Sequence, residues 1–330
     1  MRILFLGGTG IISSAAGRRL AERSDVELTF FLRGQSNRQV PPGVEVLSGD
    51  LRDPAAVSAK LGSRRFDVVV NFIAFTPAHV AADIELFRGK VGQYVFISSA
   101  SAYQTPPARL PVTESTPLKN PFWQYSRDKI ACEEALIRAY REHDFPATIV
   151  RPSHTYDERS LPVHGGYTVI ERMRQGKPVI VHGDGTSLWV LTHHDDFAKG
   201  FNGLLGNPQA VGDVFHITSD EVLSWNQIHA ILAESAGVEA KLVHVPSARI
   251  AQHDPHWGAS LLGDKAHSMI FDNTKIKRLV PDFSATIPYA IGARQTLAWF
   301  EADAARRTID PAFDALCDRI VAAEERAATL

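Results

Sequence analysis

Arg2-Ile3-Leu4-Phe5-Leu6-Gly7-Gly8-Thr9-Gly10-Ile11-Ile12-Ser13 reads as an apolar strand, a cluster of glycines and, at once, the start of a helix. A helix N-terminus has backbone N–H groups without intrahelical partners, so a strand that turns tightly into a helix makes an anion site. Gly7 permits the turn, and Gly10 lets the backbone approach a pyrophosphate with no Cβ in the way. The residues expected around a dinucleotide here are Gly7, Thr9, Gly10, Ile11 and Ile12. Ser13 stands where a third glycine is usual, and it is expected to loosen the packing of helix on sheet slightly.

The pattern continues outward from that turn. Strands are expected at residues 2–6, 27–32, 44–47, 67–72, 93–97 and 147–150, with helical stretches starting near Gly10, Asp53, Pro77 and Tyr125. Strands alternating with helices imply crossover units and a parallel sheet. Phe66-Asp67-Val68-Val69-Val70-Asn71-Phe72 has the nearly continuous apolar character of a strand covered on both faces. The fold class expected is α/β, a Rossmann-type doubly wound parallel sheet with a smaller C-terminal α/β substrate lobe. Residues 1–150 form the NAD(P)-binding domain, with segments returning to it from about 190–220, and 151–330 form the substrate lobe and C-terminal helices. In that second part, short strands are expected at 179–181 and 189–191. Ser224-Trp225-Asn226-Gln227 has capping-box spacing, and Asp310-Pro311 marks a last helix whose Phe313, Leu316, Ile320 and Val321 share one face.

The second strand ends in Leu32-Arg33-Gly34. An acidic residue there would bond ribose hydroxyls, whereas the cation Arg33 would accommodate a 2′-phosphate, so the sequence favours NADP over NAD. Tyr125 and Lys129, four apart, share a helical face. A free tyrosine, with a pKa of ~10, is a poor base near neutrality, and a neighbouring ammonium favours its phenolate. Upstream, Tyr94 to Tyr103 is a strand ending in the hydroxyls Ser98, Ser99 and Ser101, at the sheet edge where open α/β folds bind ligands.

The glycine turn, Ile97-Ser98-Ser99, the Tyr125–Lys129 pair and Arg151-Pro152 together resemble the extended short-chain dehydrogenase/reductases, the NAD(P)-dependent epimerase/dehydratase-like enzymes. The resemblance implies a Ser99–Tyr125–Lys129 catalytic triad, with Ser101 as the second choice for the hydroxyl. It also implies adenine contacts from Asp50 and Leu51 and a cofactor wall from Phe72 and Ala74, and His193-His194-Asp195-Asp196 resembles the family's usual His-x-Asp-Asp stretch. A homodimer through the helix bearing the Tyr–Lys pair and its neighbour follows from it as well.

The chain departs from nucleotide-sugar members of that family. His154 replaces an Asn, and Trp189 and Leu261 stand where arginines hold a diphosphate. A Trp offers an apolar face for a sugar ring instead, while Arg159, Arg172 or Lys265 could restore the charge. Ala100 and Ser101 replace the Asp-Glu pair of dehydratases. The substrate residues expected are Ser99, Ser101, Trp123, His154 and Trp189, with Trp123 placed by the proline-rich stretch 105–121. The leading expectation is an NADP-dependent oxidoreductase or epimerase acting on a sugar-like or other small hydroxyl or carbonyl compound. The alternatives are a nucleotide-sugar epimerase/dehydratase and, in another class, a non-catalytic RNA-binding or regulatory relative.

Composition bounds these readings. The 330 residues are 45% hydrophobic, which excludes a disordered chain, and 35 Lys plus Arg against 37 Asp plus Glu speak against nucleic acid or an anionic membrane as main partner. Two cysteines, Cys132 and Cys317, are too few for a disulfide framework or a zinc site, and neither His193-His194 nor His253 with His256 has metal spacing, so no metal is expected. With no targeting or membrane-spanning stretch in view, a cytoplasmic enzyme with a small-molecule substrate is expected.

Overall fold

The computed structural model describes residues 1–328. The glycine turn lies between β1 (Arg2–Leu6) and α1 (Ile11–Ala21), and the alternation continues through β2 (Glu27–Leu32), β3 (Glu45–Ser48), α2 (Pro54–Leu61), β4 (Phe66–Asn71), α3 (Pro77–Phe87), β5 (Val91–Ile97), α4 (Gln124–His143) and β6 (Ala147–Pro152). The C-terminal part brings β7 (His154–Tyr156), α5 (Tyr167–Arg174), β8 (Pro178–His182), β9 (Leu188–Trp189), β10 (Leu191–His193), α6 (His194–Leu204), β11 (Val214–Ile217), β12 (Leu223–Ser224), α7 (Trp225–Ser235) and β13 (Lys241–Val245). It ends with α8 (Ser247–His253), α9 (Pro255–Ser260), a π-helical turn at Leu261–Lys265, α10 (Thr274–Leu279), α11 (Tyr289–Glu301) and α12 (Pro311–Ala328).

Seven strands form one sheet in the order β11-β6-β5-β4-β1-β2-β3, every pair parallel. The order runs outward both ways from β1 and β4, as the alternation of short strands and crossover helices predicts. Ile3, Leu4, Phe5 and Leu6 are fully buried because both faces of the sheet are covered. The C-terminal lobe has its own core around Trp189, Trp225, Trp257 and Phe313, with β13 paired to β8. Two elements from beyond residue 190 complete the nucleotide-binding half: β11 adds to β6 at the sheet edge, and α6 packs along α1.

The turn chemistry works as its residues dictate. Gly7 sits at φ +90°, and a Cβ there would also lie 2.5 Å from Ile73 Cγ2. The closest contact of α1 with the sheet has moved one turn along. A Cβ on Gly17 would stand 2.5 Å from the Phe30 ring, while the buried Ser13 accepts the Gly10 N–H at 2.7 Å. Ser13 therefore caps the helix, and the tight approach expected of a third glycine is made by Gly17.

Asp83, on α3, accepts hydrogen bonds from Asn71 Nδ2 and the Tyr94 hydroxyl. Loss of water pushes its carboxyl from the ordinary 3.8 up to about 6. Between those values the folded chain keeps a proton that the unfolded chain releases, so stability falls as pH rises from 4 to 6, by up to about 3 kcal/mol. Asp83→Asn keeps an acceptor and cannot ionise. Urea unfolding at pH 4 and pH 7 is expected to show a fall in the wild type that the variant lacks, and an equal pH response in both would contradict the assignment.

Candidate active site

The C-terminal ends of β1, β2, β4, β5 and β6 open onto a cleft of about 810 Å³ that runs from the glycine turn to Lys129. Gly7, Thr9, Gly10, Ile11 and Ile12 line one end, with Arg33, Leu51 and Phe72 along it and Ser99, Tyr125 and Lys129 at the other. Asp50 and Ala74 lie in an adjoining cavity that shares Arg33 and Leu51. A Cβ on Gly10 would meet nothing closer than Ser13 Oγ at 3.2 Å, so this helix start leaves open space for an anion. A cradle without side chains, a helix N-terminus and an apolar trough together fit a dinucleotide.

The loop after β2 is tied to the far side of this cleft. Arg38 pairs with the fully buried Asp157, which follows β7, and reaches Ser14 Oγ on α1 at 3.4 Å. Asp157, Glu158 and His194 come together, as do His193, His194 and Asp195. Arginines already answer two of these carboxylates, Arg38 on Asp157 and Arg18 on Asp195. His194 Nδ1 lies 3.1 Å from the Ile11 carbonyl, so the His-His-Asp-Asp stretch joins α6 to α1.

Helix α4 carries the reactive face. Its buried residues Ser126, Lys129, Cys132, Glu133 and Leu136 recur at helical spacing against the sheet. Lys129 Nζ donates to the carbonyls of Ala74 and Ile97, both at 2.8 Å, which fixes the ammonium between β4 and β5. It stands 5.8 Å from the centre of the Tyr125 ring, and burial lowers its pKa to about 8. Burial also pushes the Tyr125 phenol up to about 12, with a hydrogen bond from the Ser99 hydroxyl acting the other way. Desolvation is the largest influence on this phenol and favours its protonated form, against the expectation that the neighbouring ammonium makes it acidic.

Ser99 lines the cleft at the end of β5, and its Oγ is 2.9 Å from Ser101 Oγ. Ser101 is buried and receives the Ser126 hydroxyl at 2.8 Å, so it stands behind Ser99 and braces it. Asn120, which the sequence reading passed over, donates to the carbonyls of Ser101 at 2.9 Å and Gly263 at 2.6 Å. Its Oδ1 accepts the Trp123 N–H at 3.0 Å, setting that indole 4.8 Å from the Tyr125 ring, centre to centre. A lone Asn in a proline-rich loop carries no spacing signal that would have found it.

Two expected substrate residues sit differently from the sequence reading. Trp189 is 3% exposed, and its Nε1 donates to His154 Nδ1 at 3.3 Å. Its ring packs 5.7 Å from Trp225, so it is no open face for a sugar. His154 lines a separate cavity of about 300 Å³ in the C-terminal lobe, and desolvation lowers its pKa to about 3, leaving it neutral. Arg172 is spent on Asp314, Asp318 and the Pro178 carbonyl, and Arg159 lies against Trp299 and Glu158. Lys265 lines the same cavity as His154.

The profile of the NAD dependent epimerase/dehydratase family matches residues 3–89 and 84–218. The chain belongs to that family. Epimerase/dehydratase relatives include 2'-dehydrokanamycin reductase of Streptomyces kanamyceticus, 27% identical over 86% of this chain and 80% of that protein. UDP-glucuronic acid 4-epimerase from Bacillus cereus, solved with UDP-glucuronic acid and NAD, superposes with a TM-score of 0.74 at 18% identity, covering 92% of this chain and 99% of that one. dTDP-glucose 4,6-dehydratase from Bacillus anthracis, solved with NAD, gives 0.74 at 19% identity over 92% and 97%.

As a member of that family the chain is an NAD-dependent enzyme of the oxidoreductase and epimerase type. The expectation of NADP is overturned: the family is NAD dependent, and both solved structures hold NAD. The physical reason lies at Arg33, which is exposed at the end of β2. A guanidinium that is solvated there selects no phosphate by its presence alone. The comparisons also favour the nucleotide-sugar alternative over the leading sequence expectation. Among the described residues, no helix is long and apolar enough to cross a membrane.

Proposed function

We propose that the chain is an NAD-dependent enzyme acting on a nucleotide-linked sugar, exchanging a hydride at a ring carbinol carbon in an epimerase-type reaction. The observation that carries this is the convergence of Ser99, Tyr125 and Lys129 on one end of the dinucleotide cleft. Gly7, Gly10 and the start of α1 would hold the pyrophosphate, Leu51 and Phe72 would flank the rest of the dinucleotide, and NAD, when bound, supplies the hydride acceptor. Ser99 and Tyr125 hold the substrate oxygen between them. Tyr125, reacting as the phenolate beside Lys129, would take the carbinol proton as the hydride leaves carbon and return that proton when the carbonyl is reduced again. Elimination of water finds no support, because Ala100 and Ser101 are buried and supply no acid–base pair.

A second reading, reduction of a ketone on a sugar that carries no phosphate, as the name of the 2'-dehydrokanamycin reductase relative implies, is favoured by the apolar Trp189 and Leu261, both buried. One experiment separates the two. The protein is incubated with NAD and, in turn, UDP-glucuronate, UDP-glucose and dTDP-glucose, with absorbance at 340 nm and proton NMR followed together. Epimer formation with catalytic NAD is the expected result. Failure to interconvert any of them, with stoichiometric NADH oxidation by a 2′-ketone aminoglycoside, would establish the second reading instead.

A further inference from the structure

Behind Ser99 stand the hydroxyls of Ser101 and Ser126, which the proton transfer itself does not use. Ser99 caps the short turn Ala100–Ala102 that follows β5, and its Oγ accepts the Ser101 N–H at 3.2 Å. The Ser101 hydroxyl lies 2.9 Å from the same Oγ. The Ser126 hydroxyl in turn donates to Ser101 Oγ at 2.8 Å. Ser101 is 3% exposed and Ser126 0%, so protein atoms and not bulk water set the direction of these bonds.

A hydroxyl has one proton to give and lone pairs for two incoming bonds. Because Ser126 donates to Ser101, the proton of Ser101 is free to point at Ser99. Ser99 Oγ then accepts from both the N–H and the O–H of Ser101, and its own proton is left for the cleft. There the Ser99 hydroxyl bonds the Tyr125 oxygen and favours its phenolate. The hydroxyls of Ser126, Ser101 and Ser99 thus run in one sense toward the reacting oxygen, and bonds in such a series polarise one another.

The far end of the series is anchored on two elements. Ser126 follows Tyr125 on α4, where a serine often turns its hydroxyl onto the carbonyl four residues back; here it crosses to the turn after β5. Asn120 Nδ2 holds the Ser101 carbonyl at 2.9 Å, and its Oδ1 accepts the N–H groups of Phe122 and Trp123 at 3.2 and 3.0 Å, just before α4 begins. One side chain therefore fixes Ser101 relative to the helix start that carries Tyr125 and Ser126. The charged and titratable groups facing Tyr125 are Lys129 and Cys132 on α4 and Asp264 on the π-helical turn, with Lys265 beyond the Trp123 ring. Asp264 opposes a phenolate there, and the Ser99 hydroxyl favours one.

We propose that Ser101 and Ser126 are positioning residues: acting through Ser99, they hold its hydroxyl as a fixed donor to the oxygen at Tyr125 and so stabilise the negative charge that the reaction places there. This rests on the reading that a carbinol reacts at Tyr125. The test uses the full chain loaded with NAD, its tyrosines labelled with carbon-13 at Cζ and titrated by NMR, the Tyr125 signal being the one absent from Tyr125→Phe. Ser101→Ala is expected to move the Tyr125 titration to higher pH by about one pH unit, and Ser126→Ala by about half as much. With the nucleotide sugars named above, kcat is expected to fall roughly tenfold and roughly threefold, while KM stays within about twofold. The double variant is expected to match Ser101→Ala alone, because Ser126 acts only through Ser101. NAD affinity unchanged in all three variants excludes a folding defect. A Tyr125 titration that Ser101→Ala leaves in place, or a Ser126→Ala effect as large in the Ser101→Ala background as in the wild type, would overturn the proposal. The titration needs no sugar, so an error in the sugar reading would show separately, as absence of turnover with the titration shifts intact.

Discussion

Replacing Tyr125 by Phe is expected to lower turnover by roughly 10²–10⁴-fold, the usual worth of a positioned proton donor. The ring stays, so its contacts with Trp123 at 4.8 Å and Phe75 at 6.5 Å stay as well. Only the hydroxyl bonded to Ser99 is lost. Because the phosphate cradle lies at the other end of the cleft, NAD affinity is expected to remain within about twofold. Measuring kcat with a saturating sugar and the NAD dissociation constant on the same sample gives both numbers. A variant that keeps most of its activity would remove Tyr125 from the chemistry, and one that loses NAD binding would make it a structural residue.

Arg151→Met is expected to cost about 3–5 kcal/mol of stability, the range for stranding one member of a buried ion pair. Arg151 and Glu133 are 4% and 0% exposed, and they meet through Nε to Oε1 at 2.9 Å and Nη2 to Oε2 at 2.5 Å. The guanidinium also lies over the Tyr103 ring, 4.6 Å from its centre. With Arg151 gone, Glu133 keeps the Ser98 hydroxyl but has no ion-pair partner among the described residues. A second replacement, Glu133→Gln, removes the stranded charge and should recover part of the loss. Urea unfolding of the single and double variants measures both. A single variant within about 0.5 kcal/mol of the wild type would mean that water reaches Glu133 and that the pair is not buried in solution. Ser98 adjoins Ser99, so the single variant should also show weaker turnover at temperatures well below its unfolding midpoint.

How much of this was legible beforehand follows from the range over which each feature is determined. The alternation of strands and helices is local, and so are the caps. Asp53 accepts the Ala56 N–H at 3.0 Å, Ser224 and Gln227 form the reciprocal box, and Asp310 accepts from Ala312 and Phe313, each as the spacing predicts. The Tyr125–Lys129 face is likewise fixed by helical geometry. What escaped depends on partners far apart in sequence. The Arg38–Asp157 pair spans 119 positions, and the 189–191 strand divides at Val190 because β9 pairs with β12 and β10 with β7. Residue type alone offers Trp189 as a surface for sugar because it does not reveal which faces of a ring its neighbours occupy. The π-helical turn has no periodicity of its own to detect. The phenol's upward shift could not be seen either, since a spacing of four reports the ammonium's proximity and says nothing of the water removed.

The return of α6 and β11 to the nucleotide-binding half bears on how the protein is made. Synthesis from the N-terminus delivers β1 to β6 while the outer edge of β6 and the flank of α1 still lack their partners. At roughly 5–20 residues per second, the interval before residue 217 emerges lasts several seconds. An unpaired parallel edge is a template for another nascent chain. Expression at reduced temperature, or with chaperones that shield strand edges, should therefore raise the yield of soluble protein, and truncation after residue 150 should give an aggregating fragment in place of a portable cofactor-binding module.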